Sequence, residues 1–164
     1  MPVEPLRMDL STIAPDAYRH FLQLEAVIGG HVDRRLLHLV KLRASQINGC
    51  AFCIGMHTDE ALRDGEPAER LTMLDAWQES SLYSDKERAA LAWVEEVTLI
   101  ADSGAGKDSF DALKPHFSDE EIAWLTLAIV QINSWNRMAI SSRAQYDRKM
   151  SAHAAPAEKT KEPA

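Results

Sequence analysis

Asn48-Gly49-Cys50-Ala51-Phe52-Cys53-Ile54-Gly55-Met56-His57 opens a helix on the only two cysteines of the chain. Asn48 belongs to the residue types that cap helices, and Gly49 relaxes the backbone ahead of the start. Cys50 is then expected in the first turn, where unpaired amide donors and the helix dipole favour an anion such as a thiolate. On a helix, positions 50, 53 and 57 project within roughly 60° of one another, so two sulfurs and an imidazole share one face. A free thiol of pKa about 8.5 is only slightly ionised near neutrality, and a helix N-terminus with a neighbouring imidazole raises the reactive fraction. Two cysteines at this spacing also close a disulfide, so one sulfur attacks an oxidant and the other resolves the sulfenic acid before it over-oxidises.

Outward from this stretch the periodicity is helical, and no period-2 run flanked by hairpin signals occurs, so the expected fold is all-α. A first helix is read from about Asp16 to Val27, stopped by Gly29-Gly30. Asp33 caps a second, with Leu36, Val40 and Ile47 on its apolar stripe, and the cysteine helix runs to Arg63 before Asp64-Gly65. Pro67 suits the first turn of a short helix to about Leu74, and a further turn is read at Trp77 to Ser81. Ser84-Asp85-Lys86-Glu87 and Ser118-Asp119-Glu120-Glu121 read as capping boxes, the first opening a helix to about Ile100. Gly104-Ala105-Gly106 marks a loop before a short helical piece around Ser109 to Leu113. The last helix carries Ile122, Leu125, Ile129 and Ile132 at spacings of three and four, and is expected to be a mostly buried central element.

One helical domain is assigned to residues 1–150, and the small, polar run at 151–164 is assigned to a flexible tail that cannot bury enough area to order itself. At 164 residues and 46% hydrophobic content, the chain supports a core without structural disulfides. A formal charge of −7 argues against nucleic acid as a partner, because phosphate binding needs clustered Lys and Arg. No apolar run approaches the length of a membrane span, and Met1-Pro2-Val3-Glu4-Pro5 lacks the basic and apolar segments of a secretory signal. The expected location is the cytoplasm, where a lone cysteine pair is more often catalytic or metal-binding than structural.

The segment Leu42-Arg43-Ala44-Ser45-Gln46-Ile47-Asn48-Gly49-Cys50-Ala51-Phe52-Cys53, followed by Met56-His57, Glu87-Arg88-Ala89-Ala90-Leu91, His116-Phe117-Ser118-Asp119-Glu120-Glu121 and Trp135-Asn136-Arg137, resembles the alkylhydroperoxidase D-like branch of the carboxymuconolactone decarboxylase-like family. The resemblance runs from about Asp33 to Ala144. It implies an all-helical domain that assembles into homo-oligomers, trimers or hexamers, and reduces hydroperoxides at the cysteine pair without a metal or organic cofactor. By position, Cys53 corresponds to the peroxidatic cysteine, Cys50 to the proton donor and resolving thiol, and His57 to the proton relay. The resemblance also implies an external dithiol or thioredoxin-like reductant. Decarboxylation is not expected, because the decarboxylase branch typically lacks the cysteine pair.

In one respect the chain departs from that pattern. The family relay usually includes a glutamate twelve residues before the first cysteine, and His38 stands there. An imidazole also moves protons near neutral pH, so His38 is retained as a candidate relay residue. It also completes a Cys-Cys-His-His set, a composition that holds zinc. Two other functions therefore stand beside the thiol peroxidase: a general thiol-disulfide oxidoreductase acting on protein partners, and a redox sensor or zinc-binding oligomer. Trp135 and Asn136 are read as packing and buried hydrogen-bonding residues rather than as a substrate entrance.

Overall fold

Side-chain caps begin the helices that build the core. In the computed structural model, which describes residues 4–147, Asp33 accepts the Leu36 N–H ahead of a helix over Arg34–Asn48. Ser84 and Ser118 each form a reciprocal capping box, opening helices over Asp85–Thr98 and Asp119–Ser142. The expected tail at 151–164 lies outside the described residues. In chain order the elements are α1 (Leu10–Ile13), α2 (Pro15–Gly29), α3 (Arg34–Asn48), α4 (Ala51–Arg63), α5 (Ala68–Met73), α6 (Asp85–Thr98), α7 (Ile100–Ser103), α8 (Lys107–Asp111) and α9 (Asp119–Ser142). A 3-10 turn at Leu74–Ala76 follows α5. The described residues contain no strand, and none of their helices is long and apolar enough to cross a membrane.

The helix expected to reach Ile100 ends at Thr98. Beyond it the Glu96 carbonyl accepts the Ser103 hydroxyl at 2.7 Å and the Glu96 carboxylate accepts the Gly106 N–H at 3.0 Å, so the chain folds back. The piece expected around Ser109 to Leu113 forms at Lys107–Asp111. The short α1, which the sequence pattern did not signal, is capped by Asp9 accepting the Ser11 N–H.

At the centre lies α3, buried on two faces. Val40 and Ala44 join Val94, Ile129 and Ile132 in one apolar cluster with α6 and α9, while Leu39 and Leu42 join Ala61, Leu71, Leu74 and Leu91 in a second. Leu39, Leu74 and Leu91 are fully buried, each contributing about 2 kcal/mol relative to exposure. The expectation of a mostly buried last helix needs correction. α9 buries the stripe read from the sequence but leaves Leu127 and Val130, turned away from that stripe, 43% and 49% exposed, and Ile140, near its C-terminal end, 48% exposed.

Candidate functional site

A helix-to-helix turn carries the cysteines. Gly49 ends α3 in the left-handed region at φ 68°, where glycine carries no Cβ penalty. Its N–H bonds the Gln46 carbonyl, and the Cys50 N–H bonds the Ser45 carbonyl at 3.0 Å. Cys50 itself, not Asn48, is the N-cap of α4, and its Sγ accepts the Cys53 N–H at 3.3 Å. The reason for the shift is local: with the left-handed residue at position 49, Asn48 still belongs to the preceding helix. Its amide is used across the core, donating to Asn133 Oδ1 at 3.0 Å and Asn136 Oδ1 at 2.9 Å on α9.

Cys50 and Cys53 form a disulfide with Cα atoms 5.3 Å apart. The residues are only 1% and 2% exposed. Of the two, Cys53 lines a cavity of about 370 Å³, together with Phe52, Met56, His57 and Glu60 of α4. Tyr18 and Leu22 of α2, Trp135, Met138 and Ala139 of α9, and Leu6, Met8 and Leu10 from the N-terminal segment complete a mostly apolar wall. Lys41 and Glu25 form an ion pair on its edge, and Trp135 Nε1 donates to the same Glu25 carboxylate at 3.0 Å. Trp135 packs against the core and edge-on against Tyr18 and Phe21, as read, and also lines the cavity, while the fully buried Asn136 donates to Ser45 Oγ at 3.0 Å and is structural as read.

His57 is buried, with Nδ1 2.8 Å from Glu60 Oε2. Burial opposes ionisation of Glu60, but the hydrogen bond from His57 and the charges of His57, Lys41 and His38 outweigh it and hold the carboxyl below its ordinary pKa. Glu60 was not singled out in the sequence. Its signal was the spacing from His57, three residues on, which puts both on one helix face.

His38 does not line the Cys53 cavity. It lies in a second, more polar cleft with Arg34, Lys41, Glu60, Arg63 and Asp64, and its Nε2 is 2.6 Å from Asp64 Oδ2. Arg34 Nη2 donates to the other Asp64 oxygen at 2.8 Å. Burial pushes the Asp64 carboxyl up, yet the bonds from Arg34 and His38 leave it below its ordinary pKa. The structure therefore brings Cys50, Cys53 and His57 together and sets His38 beyond Glu60. No group of three or more His, Cys, Asp and Glu side chains among the described residues is arranged to hold a metal ion, so the Cys-Cys-His-His quartet does not assemble.

Comparison with known proteins agrees with this architecture. The sequence model of the carboxymuconolactone decarboxylase family matches residues 15–96. The uncharacterized protein YdfG of Bacillus subtilis (strain 168) is 38% identical over 136 residues, covering 82% of this chain and 92% of that protein. A solved structure from Agrobacterium tumefaciens, a protein of unknown function and candidate antioxidant defence protein AhpD, is 43% identical with a TM-score of 0.85, covering 87% of this chain and 99% of that one. A peroxidase-related protein from Ralstonia eutropha JMP134 with an alkylhydroperoxidase AhpD core shares the fold at a TM-score of 0.75 and 17% identity, over 86% of this chain and 76% of that one.

Proposed function

The chain belongs to the alkylhydroperoxidase D-like branch of the carboxymuconolactone decarboxylase family, and on that premise we propose that it is a thiol-dependent peroxidase reducing organic hydroperoxides at Cys53. The observation that carries this reading is that Cys53, and not its disulfide partner Cys50, opens onto an apolar cavity that also holds His57. In the reduced protein His57 takes the Cys53 thiol proton. The thiolate attacks the distal peroxide oxygen, an S–O bond forms as the O–O bond breaks, and the departing alkoxide takes the proton from the imidazolium. Alcohol leaves, and Cys53 is a sulfenic acid. The Cys50 thiol then displaces water to give the Cys50–Cys53 disulfide. An external dithiol, free or on a thioredoxin-like partner, reduces that bond by thiol-disulfide exchange.

The mostly apolar lining of the cavity at Cys53 favours an organic hydroperoxide as the oxidant over the protein-disulfide alternative. The cycle needs no metal or organic cofactor. His38, beyond Glu60, contributes to the field at the relay rather than contacting the sulfur. The exposed apolar face of α9 supports assembly into a trimer or hexamer, measurable by light scattering and disrupted by Val130→Glu.

The deciding experiment adds one equivalent of cumene hydroperoxide to the reduced protein and records intact mass against peroxide consumed. Loss of two hydrogens with matched consumption, reversed by a dithiol, is expected. Unchanged thiols overturn the reading.

A further inference from the structure

The geometry points to Glu60 as the positioning carboxylate of the site: it fixes the His57 tautomer and stabilises the imidazolium, a task that the residue at position 38 does not perform in this chain. This inference rests on the peroxidase reading above. An ionised carboxylate only accepts hydrogen bonds, so the 2.8 Å contact assigns the hydrogen to His57 Nδ1 and leaves the Nε2 lone pair as the base. His57, Cys53 and Glu60 line the same cavity, and its remaining α4 walls, Phe52 and Met56, neither donate nor hold charge.

Two residues, Lys41 and Glu60, line both the Cys53 cavity and the polar cleft. Lys41 is committed to Glu25 by an ion pair. Glu60 is therefore the acid that touches the imidazole while remaining open to the cleft, where solvent keeps its charged form accessible. His38 is turned to Asp64 instead. The other groups facing the pair are defined. Lys41 and His38 approach from α3, Glu25 and Tyr18 stand across the cavity on α2, and Asp9 precedes α1. Arg63 and Asp64 close the cleft at the end of α4. The cations around Glu60 support its ionised state, in line with its lowered pKa.

During the attack on peroxide the proton moves from Cys53 Sγ to His57 Nε2 and on to the alkoxide. Glu60 gives up no atom and changes no bond order. Its charge lowers the energy of the thiolate-imidazolium state that precedes O–O cleavage.

The test uses the full-length, dithiol-reduced chain in a Cys50→Ser background, so that Cys53 alone reports. The rate of iodoacetamide alkylation is followed against pH with and without Glu60→Gln, which keeps an acceptor oxygen but removes the charge. Glu60→Gln is expected to move the alkylation profile to higher pH and slow the reaction near neutrality about tenfold. Superimposable profiles in two folded proteins overturn the assignment. Independently, nitrogen NMR of the imidazole is expected to show the neutral ring protonated at Nδ1, with the Nε2–H form appearing in Glu60→Ala. A wild-type ring protonated at Nε2 also overturns it. Neither measurement uses peroxide, so failure of the unsubstituted protein to consume hydroperoxide counts against the peroxidase reading and leaves these results to judge Glu60.

Discussion

Asn48 at the end of α3 donates to Asn136 Oδ1 on α9 over 2.9 Å, and Asn136 donates in turn to Ser45 Oγ over 3.0 Å. Asn136 is fully buried, and its neighbour Asn133 donates to Thr98 Oγ1 at 3.0 Å. This amide network ties the turn that carries Cys50 to the long helix and to the end of α6. Replacing Asn136 by Ala removes its bonds to Asn48 and Ser45, which keep only those to Asn133 Oδ1 and the Ala44 and Lys41 carbonyls, and leaves a gap at a fully buried position, so it is expected to destabilise the fold by about 1–3 kcal/mol. Urea unfolding measures this, and a change below about 0.5 kcal/mol removes the network's structural role.

The two cysteines are predicted to fail differently. Cys53→Ser should abolish hydroperoxide consumption, because no thiol then lines the cavity. Cys50→Ser should consume a single equivalent and stop at a sulfenic acid that a dimedone-type reagent traps. Sustained turnover by either variant is incompatible with the mechanism.

Ala139 lines the cavity from α9. Enlarging it to Phe should exclude bulky substrates, lowering kcat/KM for cumene hydroperoxide at least about tenfold while hydrogen peroxide is affected much less, a difference of about 1.4 kcal/mol in transition-state binding. Equal losses for both peroxides indicate that the cavity does not select the substrate.

Acid stability should register Glu60. Its carboxyl pKa is lowered by folding from an ordinary value of 4.5. The stabilising contribution is therefore complete above that value and is lost as pH falls through the lower folded pKa. Thermal unfolding between neutrality and the acid limb should show a steeper decline for the natural protein than for Glu60→Gln, and parallel curves contradict the shift.

Gly49 stands at φ 68° with nothing near the position a Cβ would occupy. The cost of substitution there is backbone strain alone. Gly49→Ala is expected to lose about 1–2 kcal/mol and Gly49→Asn distinctly less, since asparagine tolerates the left-handed region. Equal losses in chemical unfolding argue for a hidden packing role.

Much of the fold was legible because it is written locally. The boxes at Ser84 and Ser118, the Asp33 cap and the spacing of Ile122, Leu125, Ile129 and Ile132 each depend on residues within one or two turns of one another. The shared face of Cys53 and His57 was legible for the same reason, and Glu60 lay on that face unread. The all-helical class and the disulfide-competent pair therefore follow from the chain alone.

Tertiary structure decided the rest. Local preference suits Asn48 to a cap, but its acceptors lie on α9, far along the chain. The family resemblance makes His38 a candidate relay residue, and its imidazole meets Asp64, which follows α4. The opening of Cys53 rather than Cys50 onto a cavity depends on walls from α2, α9 and the N-terminal segment. Helical periodicity fixes which residues share a face, whereas the packing angle between helices fixes what that face meets, and that angle arises from burial summed over the whole core.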